Sequence, residues 1–147
     1  MIKEEVKAKL GNKIKEWLVK SPKRIYFTID KKDLKETARM FYRQLSMRLS
    51  TVTGIDNEVN FELIYHFSCD KSGEIFNLRV FLEDRDNPQV DSLYDLFRVS
   101  DWVEREINEM LGIDFKGHPN LKRLLLAEDW PANTFPLRKE YKGKQNE

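Results

Sequence analysis

The stretch Phe61-Glu62-Leu63-Ile64-Tyr65-His66-Phe67-Ser68-Cys69, followed by Asp70-Lys71-Ser72-Gly73 and then Glu74-Ile75-Phe76-Asn77-Leu78-Arg79-Val80-Phe81-Leu82, decides the fold class. Phe61, Leu63, Tyr65 and Phe67 alternate with Glu62, Ile64, His66 and Ser68, so a strand there has one apolar face and one mixed face. Asp70 to Gly73 is turn chemistry, and a second strand is expected from Glu74 to Leu82. Working outward, Met47 to Thr53 reads as a further strand, separated by Gly54-Ile55-Asp56-Asn57 from a strand run that begins at Glu58. An apolar sheet face has to be covered. Leu34, Ala38, Phe41, Tyr42 and Leu45 lie on one face of a helix expected from Leu34 to Leu45, with Asp30 or Asp33 as its cap. Val103, Ile107, Met110 and Leu111 give a second such stripe from Asp101 to Leu111, capped by Ser100 or Asp101 and closed by Gly112. Arg24 to Ile29 is rich in β-branched and aromatic residues and reads as a short strand after the break at Ser21-Pro22. Residues 1–20 place Ile2, Val6, Leu10, Ile14, Trp17 and Leu18 three or four apart, which predicts one amphipathic helix weakened near Gly11-Asn12. The expectation is an α+β fold, a small mixed or antiparallel sheet covered by helices.

A chain of 147 residues fits one compact domain with room for an appendage. With 26 Lys and Arg against 25 Asp and Glu, no global field draws it to nucleic acid or to anionic membranes. The longest run without a charge, Trp130 to Leu137, is far short of the ~20 apolar residues that span a bilayer. The opening Met1-Ile2-Lys3-Glu4-Glu5 is unlike a signal peptide, so the expectation is a soluble chain in the cytoplasm. One cysteine, Cys69, rules out an internal disulfide or a cysteine-built zinc or iron–sulfur site, and two histidines are few for a metal centre. No glycine-rich phosphate loop is present among the six glycines.

Beyond Gly112 the character changes. Residues 113–147 carry Gly117, Pro119, Pro131, Pro136 and Gly143, with Phe115, Trp130, Phe135 and Tyr141 among them. A tail without regular structure but this rich in aromatics is expected to lie on another protein. The division is therefore a core of residues 1–112 and a docking tail of residues 113–147. Between positions 84 and 114 nine acidic residues face three Arg, and Glu104 and Glu106 point about 100° or more apart on a helix. Divergent carboxylates suit a solvated or partner-facing surface better than acid–base catalysis. Cys69 beside Asp70 has its thiolate disfavoured, and His66 reads as a hydrogen-bonded structural histidine.

The run Asp101-Trp102-Val103-Glu104-Arg105-Glu106-Ile107-Asn108-Glu109-Met110-Leu111-Gly112, continued by Ile113-Asp114-Phe115-Lys116-Gly117-His118-Pro119-Asn120-Leu121-Lys122-Arg123-Leu124-Leu125, resembles the signature of the C-subunit family of NADH-quinone oxidoreductase (respiratory complex I). Members of that family also occur in energy-converting membrane-bound hydrogenases. Glu109 and Leu111 stand where the family pattern has Asp and Phe. Glu128-Asp129-Trp130 and Phe135-Pro136-Leu137-Arg138-Lys139-Glu140-Tyr141 are similar to its C-terminal motifs, and the likeness spans roughly residues 40–141.

The resemblance implies a non-catalytic hydrophilic subunit of a membrane-bound, ion-translocating oxidoreductase. Such a chain has no cofactor of its own, and docks on the large catalytic subunit of the peripheral arm beside iron–sulfur subunits. The partners would hold iron–sulfur clusters and, in the hydrogenase branch, a nickel–iron centre. Membrane contact would be indirect, on the cytoplasmic side. The short chain and its Phe135-Pro136 step lean towards the hydrogenase branch. Glu104, Arg105 and Glu106 would make charged contacts to the partner; Gly112, Gly117 and Pro119 would shape the chain's exit; Phe115, Trp130 and Leu137 would anchor it. Trp102, His118, Lys122, Arg123, Asp129 and Arg138 complete the expected interface. The alternative is a free-standing α+β module that stacks RNA on Trp130 and Phe135 between Lys122-Arg123 and Arg138-Lys139, although the tail holds only seven basic residues against four acids.

Overall fold

The alternation of Phe61, Leu63, Tyr65 and Phe67 becomes one of the inner strands of a five-stranded sheet in the computed structural model, which describes residues 1–143. The elements are α1 (Ile2–Leu10), β1 (Glu16–Ser21), β2 (Arg24–Thr28), α2 (Leu34–Leu45), β3 (Arg48–Asp56), β4 (Phe61–Cys69), β5 (Glu74–Leu82), β6 (Gln89–Asp91), α3 (Val99–Leu111) and β7 (Asp114–Lys116). Short 3-10 turns occupy Gly11–Lys13 and Lys31–Asp33. The sheet order is β1-β2-β5-β4-β3, with β2 parallel to β5 and every other pair antiparallel.

Register puts the apolar side chains on one face. Phe61, Leu63, Tyr65 and Phe67 stand opposite Leu82, Val80, Leu78 and Phe76, and Ile25 and Phe27 pair with Phe76 and Leu78. All ten are at most 1% exposed. Helix α2 seats Phe41 in this face, edge-on to Phe67 at 5.0 Å between ring centroids. Helix α3 covers the β3 side. There Gly54 faces Leu111 and Ile107 so closely that a Cβ would sit 2.8 Å from Leu111 Cδ1. Gly54 thus serves a close approach within β3, which runs on to Asp56 paired with β4, and the expected turn falls instead at Asn57–Asn60, closed by Asn57 N–H to Asn60 O.

The N-terminal helix is shorter than the periodicity predicts. Gly11 adopts φ 53° and ends α1 after Leu10, and Trp17 and Leu18 belong to β1. The three-and-four spacing continued across Gly11 by coincidence: Trp17 buries its ring on Phe27 from a strand, at 5.7 Å. Ser21-Pro22 is correspondingly a hairpin turn between β1 and β2. Helix α2 matches its expected bounds; Asp30 accepts from Lys32 N in the turn before it, whereas Asp33 makes no capping bond. Helix α3 begins two residues early, so Ser100 and Asp101 lie inside it and neither caps it, while Gly112 closes it at φ 78°.

The core does not end at residue 112. Strand β7 pairs in parallel with β6, a pairing the sequence pattern does not announce, and Ile113 and Phe115 are buried. The folded unit therefore runs through Lys116, four residues past the expected boundary.

Candidate partner interface

At 100° per residue, Ser100, Glu104, Ile107 and Leu111 form the side of α3 buried on the core, and Trp102, Arg105, Glu106 and Glu109 fall on the opposite side, where Glu109 is nonetheless buried. That outward side is where the chain after β7 returns. His118 Nδ1 accepts from Asn120 N–H at 3.0 Å, so its proton is on Nε2, which donates to Asp101 O at 3.1 Å. One turn on, Arg105 donates from Nε to Lys122 O at 3.1 Å and from Nη2 to Arg123 O at 2.7 Å. Glu109 accepts from the next two amides, Leu124 N and Leu125 N, the latter at 2.9 Å. Arg105 and Glu109, one helical turn apart, thus hold four consecutive residues of an irregular segment by their backbone. Charge-assisted bonds of this kind are about twice as strong as neutral ones.

A second staple fastens residues 137–139. Leu137 N–H donates to Met110 O at 3.0 Å, and Arg138 Nε donates to Leu111 O at 2.7 Å. The Arg138 guanidinium lies over Phe61 and Phe135, at 5.1 and 4.5 Å. Phe135 in turn closes on Gly112, where a Cβ would be 2.6 Å from its ring. Lys139 N–H donates to Asp56 Oδ2 at 2.9 Å, and Asp56 also receives the Arg85 guanidinium at 2.5 Å. Arg85 and the amides of Lys139 and Glu58 hold the Asp56 carboxyl well below the usual carboxylate range, against the effect of its burial. Between the two staples, Arg123 donates to Ala127 O and Trp130 O, and Trp130 Nε1 donates to Thr134 O.

Several expected contacts are therefore spent within the chain. Glu104 is fully buried: it accepts from Ser92 Oγ and from Leu93 N at 2.9 Å, and burial pushes its carboxyl up to about 7. It cannot be a surface charge, because α3 turns that position inward onto the loop after β6. Phe115 is 1% exposed in β7 and is a core residue, not an anchor on a partner. The His118 imidazole has no exposed area. Arg105, Arg123 and Arg138 point their donors at the chain's own carbonyls. The same use of Arg123 and Arg138 leaves the RNA-binding reading without support.

Three large apolar side chains stay open. Trp102 is 67% exposed, and Leu125 and Leu137 are 62% exposed. Glu106, Gly117, Pro119, Lys122 and Asp129 are exposed as well, and Trp130 is half-buried. Glu109 and Leu125 stand in the sequence reading only as positions of the family motif and not as interface residues; the spacing of Arg105 and Glu109 on one helix face was the available signal. The Asp56–Arg85–Lys139 junction had none, since its members are far apart in sequence. His66 bonds Thr53 Oγ1 and Asn77 Oδ1, the structural role expected of it. It lies three residues from the buried Cys69 on one strand, hence on the opposite face. Among the described residues no cluster of three or more His, Cys, Asp or Glu could hold a metal ion, and no helix is long and apolar enough to cross a membrane.

Residues 27–147 match the family model described as "Respiratory-chain NADH dehydrogenase, 30 Kd subunit". The chain belongs to this family. The C subunit of the F(420)H(2) dehydrogenase of Methanosarcina mazei is 34% identical over 146 residues, covering 97% of this chain and 91% of that protein. The J subunit of the NAD(P)H-quinone oxidoreductase of Synechococcus sp. (strain WH7803) is 53% identical over 74 residues, which are 50% of this chain and 39% of that protein. The match thus spans about two fifths of the second relative's length. The fold is shared with a chain of the membrane-bound sulfane sulfur reductase, an archaeal respiratory membrane complex. The TM-score is 0.82 and the identity 18%, covering 97% of this chain and 84% of the other. It is also shared with a trypsin-resistant fragment of Nqo5, at TM-score 0.68 and 21% identity, covering 81% and 96%. The mixed, mostly antiparallel α+β fold is that of the family. Its relatives are subunits of multi-subunit respiratory-type oxidoreductase complexes, some of them membrane-bound.

Proposed function

We propose that this chain is a non-catalytic subunit of a membrane-bound, ion-translocating oxidoreductase, docking on and positioning the large catalytic subunit of the peripheral arm. The observation that carries this reading is the exposure of Trp102, Leu125 and Leu137 on α3 and on the segments stapled to the core around it. Large apolar side chains held rigidly in the open are what interface anchors look like, because their ordering cost is met before the partner arrives. In this reading Arg105 and Glu109 act at one remove: they set the path of residues 122–125, and that path sets where Leu125 points. Glu106, Lys122 and Asp129 supply the charged rim. The chain itself carries no cofactor; iron–sulfur clusters and, in the hydrogenase branch, a nickel–iron centre reside in the partners. The complex holds it on the cytoplasmic side of the membrane.

The test is extraction of the tagged chain from its native membranes in mild detergent, with identification of what co-purifies and assay for nickel. A large subunit with nickel and hydrogen-evolving activity assigns the hydrogenase branch. A nickel-free assembly that reduces quinone assigns the respiratory branch. Recovery of the chain alone, or equal recovery of partners with Trp102→Ala/Leu137→Ala, overturns the docking surface.

A further inference from the structure

The net charge of +1 conceals a strong separation. Residues 1–48 hold 14 Lys and Arg against six Asp and Glu, and residues 49–114 hold five against 15. Four of those 14 basic residues gather where the end of α1 and its following turn meet α2, and there the surface is concave: a groove of about 480 Å³ lies between them. Lys9 and Lys13 line it from one side and Arg39 and Arg43 from the other, with Glu36 as its one acid.

Glu36 is engaged, paired with Lys13 at 3.2 Å, and Lys9 donates to the neutral Gln44. Among the described residues Arg39, Arg43 and Lys9 have no ion pair. Arg39 and Arg43 are four apart on α2, a spacing at which like charges repel and destabilise an isolated helix. A helix face meant only for solvent has no need of that arrangement or of a concavity beneath it. Thr37, which also lines the groove, is 2% exposed and its hydroxyl has no hydrogen-bond partner among the described residues. Two guanidinium forks without an ion pair, with the Lys9 ammonium beside them held only by a neutral amide, line one groove, and the Thr37 hydroxyl is buried beneath it. Planar guanidinium groups match phosphate oxygens two at a time, and the groove's volume is that of a small-ligand site, not of a protein–protein interface.

We propose that the groove between α1 and α2 binds a phosphate-bearing ligand, with Arg39 and Arg43 as the principal contacts and Lys9 across from them. The site is remote in sequence from the α3 surface and stands independently of the docking reading. Its phosphate can come from a free phosphorylated compound or from the headgroup of an acidic phospholipid.

The experiment titrates the full chain by calorimetry with inorganic pyrophosphate and, separately, with poly-glutamate, and in parallel measures its sedimentation with phosphatidylglycerol vesicles and with phosphatidylcholine vesicles. Arg39→Gln/Arg43→Gln is compared with a Lys71→Gln control, which removes one exposed charge elsewhere; all three positions are solvent-exposed, so folding is retained. Saturable pyrophosphate binding that weakens about tenfold or more in the double variant and not in the control supports a free-phosphate site. Binding confined to phosphatidylglycerol vesicles, with the same dependence on Arg39 and Arg43, supports the lipid source. Binding to neither, binding unchanged by the double variant, or binding of poly-glutamate alone overturns the proposal, the last result in favour of an acidic polypeptide.

Discussion

Helix α2 and the C-terminal segment both lie against the rest of the chain, and they are held by opposite means. Helix α2 buries Leu34, Ala38, Phe41 and Leu45 and makes no side-chain hydrogen bond into the sheet beneath it. The segment from His118 to Lys139 buries little of its own and is held by Arg105, Glu109, Arg138 and Asp56 bonding to backbone amides and carbonyls. Apolar burial is spread over many contacts, so the core tolerates the loss of any one polar group. The segment relies chiefly on charged side chains bonded to backbone groups, with the Leu137 N–H to Met110 O bond beside them.

The largest effect expected from breaking the first kind of hold is at Phe41. Phe41→Ala removes the ring that meets Phe27, Phe67 and Phe76 and should cost about 3–5 kcal/mol, read as a lower denaturant midpoint for the whole unit. If the C-terminal segment frays at its unchanged rate below that midpoint, the two holds are independent.

Glu104 is the case that joins them, a polar staple inside the core. Its folded value of about 7 lies above its ordinary 4.5, so between those pH values the folded state keeps a proton the unfolded state has released. Stability should therefore be highest below about pH 4.5 in this respect and fall by about 3 kcal/mol as pH rises through 7. Glu104→Gln keeps an acceptor for Leu93 N–H and meets Ser92 Oγ with an amide N–H in place of a carboxyl oxygen, without the charge. Chemical unfolding across pH 5–8 should lose that slope in the variant, and an unchanged slope would show that another group carries it.

Smaller again is the expected effect at Glu109. Glu109→Gln leaves one of two amides unserved and should cost about 1–2 kcal/mol of local stability. Hydrogen exchange at Leu124 and Leu125 should quicken by about 5- to 30-fold, as that energy converts, while the amides of β4 and β5 hold their rates. Equal acceleration in the strands would mean that the segment and the core open together. Least of all is the stability change from Leu137→Ala, within about 0.5 kcal/mol because that side chain is largely exposed. On the proposed docking its effect falls on partner affinity, and a large loss of stability would place Leu137 in the core instead.

The sheet and α2 were legible because their signals are local. Period-two alternation from Phe61 to Leu82 and the three-and-four stripe from Leu34 to Leu45 each depend on neighbours within a few residues. The failures have local causes too. Gly11 broke a stripe whose spacing ran on through it, and Gly54 passed for a turn residue although it is there to let Leu111 approach β3. In the candidate interface the signature around Glu104-Arg105-Glu106 was visible as a unit, but its three members could not be told apart: one is buried, one staples the backbone and one faces solvent.

The sequence by itself determined the fold class, the covering helices and membership of the family, since these rest on periodicity and on a run of side-chain types written along the chain. Tertiary structure alone decided what each charge of that run does. Whether a carboxylate is a surface contact, a buried acid near pH 7 or a clamp on two amides depends on which backbone groups come within about 3 Å. The approach of Leu93 to Glu104, of Leu124 and Leu125 to Glu109, and of Lys139 to Asp56 is a product of folding, set by how α3 lies on the sheet.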